Sequence, residues 1–278
     1  MFQENLLTNK RVLVTGGGSG LGKEISRYLL QLDAEVVICG RRENVLSETA
    51  TELGRQTGGR IDYVPLDIRD PEAVDEVIEK LFTEKPINCL VNNAAGNFLS
   101  RTEDLSHRAM DAIFSIVLHG TSYATLACGK RWLKRSMSGN VVSIVTTYAW
   151  TGSGYVVPSA MAKAGVLAMT RSLAVEWGQR GIRLNAVAPG PFPTEGAWSR
   201  LFPNADVSSI FETRNPLGRV GKKEELCGLT AFLLADQSGY INGEVVTIDG
   251  GEWLKGAGQF NFASELSDED WAEMKKRR

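Results

Sequence analysis

Thr15-Gly16-Gly17-Gly18-Ser19-Gly20-Leu21-Gly22 is the stretch on which the fold turns. It follows the apolar run Arg11-Val12-Leu13-Val14, a buried-strand candidate, and opens a helical pattern from Gly22 to Leu32. Glycines here permit a tight turn and let the backbone approach a pyrophosphate, which the N-terminus of the following helix stabilises. A glycine-rich run alone also fits a merely flexible loop. The strand, turn and helix around it make it a dinucleotide signature.

Outward from that turn, short apolar runs alternate with amphipathic stretches. Strand candidates are Ala34–Cys39, Ile61–Leu66, Ile87–Val91, Val141–Val145, Arg183–Val187 and Glu244–Ile248, with Pro65 best suited to an edge or a strand end. Helical patterns cover Gly22–Leu32, Arg42–Thr57, Pro71–Phe82, Asp104–Met137, Ser159–Gly178 and Lys222–Leu234. This alternation predicts an α/β chain, a single Rossmann-type doubly wound parallel sheet with helices on both faces. Residues 1–278 read as one domain, with an insertion at 192–216 and a C-terminal extension at 252–278. Within the extension, Ser267-Asp268-Glu269-Asp270-Trp271 predicts a capped, acid-started short helix.

Composition narrows the function classes. The 278 residues are 43% hydrophobic and 23% charged, as in a soluble globular protein with a substantial core. A formal net charge of −2 gives no bulk basic field, so nucleic acid is not implied as a partner. Cys39, Cys89, Cys128 and Cys227 are far apart without metal-ligand spacing, which predicts buried thiols and no metal site. No apolar run reaches membrane-spanning length, so membrane insertion is not expected. No secretory leader is seen, and Lys275-Lys276-Arg277-Arg278 is neither a peroxisomal address nor a prenylation box. The expected setting is the cytoplasm.

The second strand ends at Cys39-Gly40-Arg41-Arg42. Folds that prefer NAD place a carboxylate about here to accept from the ribose hydroxyl. Arg41 and Arg42 instead suit a ribose phosphate, so the expected cofactor is NADPH/NADP. The competing reading makes both arginines a solvated helix start.

Pro158-Ser159-Ala160-Met161-Ala162-Lys163 places Ser159 and Lys163 four residues apart, on one helical face. This region resembles the short-chain dehydrogenase/reductase family, in which that spacing carries Tyr-x-x-x-Lys. There the tyrosine supplies a proton and the lysine holds the nicotinamide ribose. Here the tyrosine is a serine, so either the site is dead or its phenol comes from elsewhere. Asn92-Asn93-Ala94-Ala95-Gly96 and Pro189-Gly190-Pro191-Phe192-Pro193-Thr194 match further family segments in the right order. The resemblance implies that the cofactor is met by Gly16, Gly18, Ser19, Gly20, Leu21, Asn93, Ala94, Lys163, Pro189, Gly190, Phe192 and Thr194. It also implies that Asp67 receives the adenine amine, with Asp70 better placed to cap the Pro71 helix.

Within the family, the joint pattern resembles the 2,4-dienoyl-CoA reductases: Asn97-Phe98 after the fourth strand, Thr147-Tyr148-Ala149, the missing helix tyrosine, and Ser199-Arg200-Leu201. That group reduces dienoyl thioesters to 3-enoyl-CoA in unsaturated fatty acid β-oxidation. Hydride added at carbon 5 develops charge on the remote thioester oxygen, where an oxyanion-hole donor is needed. The resemblance implies that Tyr148 and Asn97 donate to that oxygen, Lys163 holds the ribose, and Ser159 links to the cofactor or Lys163. Tyr148 is read as ending a Val141–Thr147 strand at the carboxyl edge where such folds bind ligands, and Tyr155 is the rival phenol. Arg69 and Arg200 would meet the acyl-CoA phosphates, and Phe98 and Ser106 would line the thioester end. Phe192, Trp198, Leu201 and Phe202 give the insertion an apolar face, read as a substrate lid or a subunit contact. The Ile241–Glu244 segment and its strand imply a homotetramer. His119 stands where the family places asparagine and reads as a packed core histidine or a support for a water near the lysine, whereas His107 reads as surface.

Overall fold

The computed structural model describes residues 5–194 and 208–277. Seven parallel strands form one sheet: β1 (Arg11–Thr15), β2 (Glu35–Gly40), β3 (Ile61–Pro65), β4 (Cys89–Asn92), β5 (Gly139–Ile144), β6 (Ile182–Pro189) and β7 (Val245–Ile248). Their order is β3-β2-β1-β4-β5-β6-β7. The chain winds outward from β1 through β2 to β3, then crosses to the other side of β1 for β4. That reversal opens a crevice at the carboxyl ends of β1 and β4, where such sheets bind ligands.

The central strands are apolar because both their faces are covered. Val12 and Val14 of β1 enter one core with Ile25, Leu29, Leu46 and Leu234, while Leu13 points to the other with Val74, Phe82, Trp132 and Trp177. Successive side chains alternate across the sheet, so adjacent residues of a single strand serve both layers. On the first face lie α1 (Gly20–Gln31) and α2 (Glu43–Thr57); the second carries α3 (Pro71–Glu84). Edge strand β3 is half-buried to exposed and ends at Pro65, where a missing N–H costs no ladder bond. Asp70 caps α3, its carboxylate accepting from the Ala73 N–H at 3.1 Å.

The fourth helical pattern departs from a uniform helix. It divides into α4 (His107–Phe114), a π-helical segment (Ser115–Gly120) and α5 (Thr121–Lys134). Together these make a 28-residue run that is long and apolar enough to cross a bilayer, contrary to the reading that no run reaches that length. Half of the apolar window is buried inside the protein, as in a core helix. The π segment also corrects His119. Ile113, Val117 and Gly120 are buried along this run, and the wider turn leaves His119 exposed, with its ring against Tyr123 at a centroid distance of 6.1 Å. His119 is therefore not a core residue, and His107 is exposed as expected.

A second correction concerns Tyr148. The apolar run continues to Thr147, but the strand stops at Ile144 because the Thr146 carbonyl turns back to accept the Ala149 N–H at 3.1 Å. Tyr148 opens a one-turn helix, α6 (Tyr148–Thr151), ahead of α7 (Val157–Gly178), which carries both Ser159 and Lys163. The remaining helices are α8 (Ser208–Arg214), α9 (Lys223–Leu234), α10 (Glu252–Ala257) and α11 (Asp268–Lys276). In α11, Ser267 and Asp270 form the reciprocal capping box that the sequence announces. All four cysteines are free and buried, and burial pushes the Cys39, Cys89 and Cys227 thiols up to about 12.

Candidate active site

The glycine loop is fastened from both flanking strands. Gly16 adopts φ +67, a left-handed conformation open to glycine, and its N–H donates to the Cys39 carbonyl at 2.8 Å. Thr15 Oγ1 accepts from the N–H groups of Asn93 and Ala94 at 3.1 and 3.0 Å. Asn93 Nδ2 returns donors to the carbonyls of Thr15 and Gly16 at 3.0 and 3.3 Å. A Cβ on Gly22 would stand 2.3 Å from the Gly16 oxygen and 2.5 Å from Asn93 Nδ2, so only glycine closes the first turn of α1 against this latch. From the other side, Thr49 Oγ1 donates to the Gly18 carbonyl at 2.9 Å. Ser19 makes no side-chain cap to α1, which leaves its first N–H groups to an anion.

These residues line a cleft of about 1140 Å³. Gly16, Gly18, Ser19, Gly20 and Leu21 form one wall, Asn93, Ala94 and Asn97 face it, and Thr194 is placed beside Gly20. Arg41 and Arg42 are exposed at the end of β2. Asp67 occupies the same end, where the Arg69 guanidinium beside it holds its carboxyl below the ordinary range. The backbone cradle, the free helix end and the two arginines fit a dinucleotide carrying a ribose phosphate.

At the end of the cleft marked by Asn97, three segments converge. Asn97 Oδ1 accepts from the Phe98 N–H at 2.9 Å, which orients the amide, and Asn97 Nδ2 donates to Tyr148 Oη at 3.4 Å. Tyr148 Oη lies 3.2 Å from Ser159 Oγ. With the Asn97 donor on its oxygen, the phenol keeps its own proton for Ser159 or for a substrate oxygen. One turn along α7, Lys163 Nζ donates to the Ile144 carbonyl, and burial lowers its pKa from 10.5 to about 8. Asn97, Tyr148 and Ser159 thus form one hydrogen-bonded row, with Lys163 four residues beyond it.

Other expected residues fall elsewhere. Arg69 is exposed, with its Nε on Asp67 at 2.9 Å. Ser106 is exposed and caps α4 by accepting from the Ala109 N–H. Phe98 is half-buried against the cluster of Ile113, Val117 and Ala162. Pro189 ends β6, and the Gly190 N–H donates to the Ile248 carbonyl at 3.0 Å. Phe192 is corrected as a surface group of the insertion: its ring is buried against the backbone of Gly221, in the core beneath the cleft. Trp198, Ser199, Arg200, Leu201 and Phe202 lie outside the described residues. The Tyr155 ring is 65% exposed, with φ +65 at its backbone, and among the described residues no bond joins it to Asn97 or Ser159. Sequence reading missed Thr15 and Thr49 as loop fasteners. A hydroxyl flanking a glycine loop gave the signal for Thr15, whereas Thr49 has no local signal.

The family model for enoyl-(acyl carrier protein) reductase matches residues 16–252. A Caenorhabditis elegans relative, probable 2,4-dienoyl-CoA reductase 3 [(3E)-enoyl-CoA-producing], is 42% identical over 273 residues, covering 96% of this chain and 86% of its own. A Bacillus subtilis (strain 168) relative, probable 2,4-dienoyl-CoA reductase [(2E)-enoyl-CoA-producing], is 40% identical over 250 residues, covering 89% and 98%. The crystal structure of a short-chain dehydrogenase from Bacillus anthracis is 41% identical with a TM-score of 0.81, covering 90% of this chain and 98% of that one. A putative 2-deoxy-D-gluconate 3-dehydrogenase from Agrobacterium tumefaciens, solved with bound NADP, is 30% identical with a TM-score of 0.83, covering 91% and 100%.

The cytoplasmic expectation is overturned by another set of relatives. A Danio rerio protein, 36% identical over 259 residues and covering 92% of this chain and 86% of its own, is named a peroxisomal 2,4-dienoyl-CoA reductase. Relatives from Mus musculus, Pongo abelii and Arabidopsis thaliana carry the same name. Organelle addresses are short receptor-read peptides independent of the fold, so the tail residues do not establish a cytoplasmic setting. The match over residues 16–252, the relatives' shared length and the common fold agree: the chain belongs to the short-chain dehydrogenase/reductase family and is closely related to its 2,4-dienoyl-CoA reductases.

Proposed function

We propose that this NADP(H)-dependent oxidoreductase reduces 2,4-dienoyl-CoA thioesters to 3-enoyl-CoA, as a step in unsaturated fatty acid β-oxidation. The observation that carries the reading is the row Asn97–Tyr148–Ser159, which puts a phenol at the active end of the cleft although the helix position four residues before Lys163 is a serine. A ketone reductase needs its acid beside the carbon that receives hydride. A conjugated thioester needs stabilisation several bonds away, at the thioester oxygen.

Gly16, Ser19 and Asn93 of the cleft, together with Lys163, would hold NADPH, which would supply a hydride for carbon 5 of the dienoyl group. Tyr148 Oη and Asn97 Nδ2 donate to the thioester oxygen as dienolate charge collects there. With the phenol's proton on the thioester oxygen, the Ser159 hydroxyl donates to Tyr148 Oη and keeps its ring in line. Lys163 holds the nicotinamide ribose hydroxyls, and its remaining ammonium protons add positive potential. Protonation at carbon 2 moves the double bond to carbon 3. Protonation at carbon 4 would instead give the 2-enoyl product named for the Bacillus subtilis relative. Arg41 and Arg42 meet the ribose phosphate, Asp67 receives the adenine amine, and Arg69 and Arg200 are assigned to the acyl-CoA phosphates. The apolar residues of the 192–216 insertion suit a substrate lid or a subunit contact, and family likeness implies a homotetramer.

NADPH oxidation with 2,4-hexadienoyl-CoA and longer homologues, beside a ketone panel, tests the reading, with the product double bond located by NMR. Dienoyl turnover yielding the 3-enoyl product is expected. A 2-enoyl product would redirect the proton to carbon 4, and ketone reduction without dienoyl turnover would sink the assignment.

A further inference from the structure

The helix that carries Tyr148 is only four residues long and is followed by a permissive loop. A single helical turn is not stable by itself, because its few hydrogen bonds do not offset the ordering of its residues. Gly152, directly after α6, has φ +70, and Tyr155, three residues later, is a bulky side chain in the left-handed region. Residues 151–155 are all exposed. The local chain therefore does not fix where α6 points, and the setting of its phenol depends on tertiary contacts.

One such contact is the Ser159 hydroxyl on Tyr148. A second lies two residues along α6, where the Trp150 indole meets the Trp253 indole edge to face, with centroids 5.9 Å apart and an interplanar angle of 86°. Trp253 is well anchored. Asp249, buried at the end of β7, accepts from the Gly251 N–H through Oδ1 at 2.9 Å and from the Trp253 N–H through Oδ2 at 3.0 Å. The Asp249 carbonyl accepts from buried Asn215 at 2.8 Å, and Gly190 packs directly on its Cα and Cβ. The indole of Trp253 is thus tied to the sheet, and that of Trp150 to the helix bearing the phenol.

We infer that Trp253 is a positioning residue: through Trp150 it holds α6 so that Tyr148 Oη stays between Asn97 and Ser159. The inference rests on the reading of Tyr148 as the donor to the thioester oxygen. It gives the C-terminal extension a part in turnover without contact with the reacting atoms. A tail anchored by Asp249 and a one-turn helix followed by a left-handed loop are joined by this indole pair, and the pair transmits the rigidity of the sheet edge to the phenol.

The test is a set of variants of the full-length enzyme: Trp253→Ala, Trp253→Phe, Trp150→Ala, the double Trp150→Ala/Trp253→Ala, and Trp253→Ala in the Tyr148→Phe background. Loss of an edge-to-face pair predicts a kcat about three- to tenfold lower in Trp253→Ala, with KM for 2,4-hexadienoyl-CoA and the NADPH Kd within about twofold. Trp253→Phe restores most of the rate, because a phenyl edge replaces the indole edge. Trp150→Ala matches Trp253→Ala, and the double variant falls no further. In the Tyr148→Phe background, removing Trp253 costs nothing more.

Independent, multiplying losses would overturn the inference, as would an effect confined to KM, which would mark the indoles as a wall for the acyl chain. Should Trp253→Ala fail to fold, Trp150→Ala and Trp253→Phe carry the same comparison. An undiminished kcat in Tyr148→Phe would refute the phenol's assignment and is distinct from an undiminished kcat in Trp253→Ala, which would refute only the positioning role.

Discussion

The glycine loop after β1 and the catalytic row after β5 share one edge of one sheet, yet opposite means build them. Within the loop, backbone groups form the working surface, and Thr15, Asn93 and Thr49 hold them by bonds of 2.9–3.3 Å. In the row, side chains do the work and arrive from three segments, joined by contacts of 3.4 and 3.2 Å. The first is a preformed cradle whose shape is a property of a few consecutive residues. The second is a convergence whose shape belongs to the whole fold. Damage to the cradle should therefore appear in folding and cofactor affinity, and damage to the row in turnover.

The largest expected effect falls on the row. Tyr148→Phe removes the donor proton while keeping the ring, and kcat should fall by about two to three orders of magnitude, as when an oxyanion donor is lost. The NADPH Kd should hardly move, and Tyr155→Phe should keep nearly full turnover. A larger loss for Tyr155→Phe would break the comparison, because an exposed loop phenol would then be the acid.

Gly22→Ala probes the cradle. The added methyl would meet the Gly16 oxygen and the Asn93 amide inside contact distance, a strain of about 1–3 kcal/mol. Calorimetry should show a melting temperature lower by roughly 2–10 °C, and titration a weaker NADPH complex. At saturating NADPH, kcat should recover. A kcat loss that saturation does not repair would mean that the two regions are mechanically one.

The same contrast explains what the sequence revealed and what it hid. β1 and its glycine turn were legible because strands buried on both faces are apolar without interruption, and a tight turn against a helix start leaves glycines at fixed offsets. Asp70 before Pro71 was legible for a similar local reason. Tyr148 was placed at the right edge but in the wrong element, since one helical turn has no periodicity to detect. His119 was misread because a π turn shifts the faces of everything that follows it. Phe192 was misread because an apolar residue in an insertion suits a core as well as a surface. The helical pattern Asp104–Met137 was seen, but the 28-residue apolar length inside it was missed because its polar residues are interspersed.

Lys163 stands between the two regions, and its pH response sharpens the boundary. Burial lowers the amine to about 8, so it is charged below that pH and neutral above it. If the charged amine holds the ribose hydroxyls, NADPH affinity should be highest on the acid side and fall as pH rises through about 8. Were only the charged form to bind, the loss between about pH 7 and about pH 9 would approach about tenfold. Lys163→Met should bind more weakly and lose the pH dependence over that window. A wild-type affinity that is flat there would place the amine outside the cofactor site.

The smallest effect belongs to the exposed rim of the cradle. Arg41 and Arg42 stand in solvent, where a charge pair with phosphate is weakened by screening, so each is worth less than a buried partner. Arg41→Ala should raise the NADPH Kd by about five- to tenfold and leave the NADH Kd nearly unchanged, a difference near 1 kcal/mol. The NADPH effect should also shrink as salt is raised, whereas the effect of Gly22→Ala should not, because a steric clash is indifferent to ionic strength. Equal weakening of NADPH and NADH in Arg41→Ala would assign the residue to the shape of the β2 end. A selective, salt-sensitive loss would establish that even within the cradle, shape and charge are separate devices: glycines admit the pyrophosphate, and an arginine at the strand end chooses which ribose follows it.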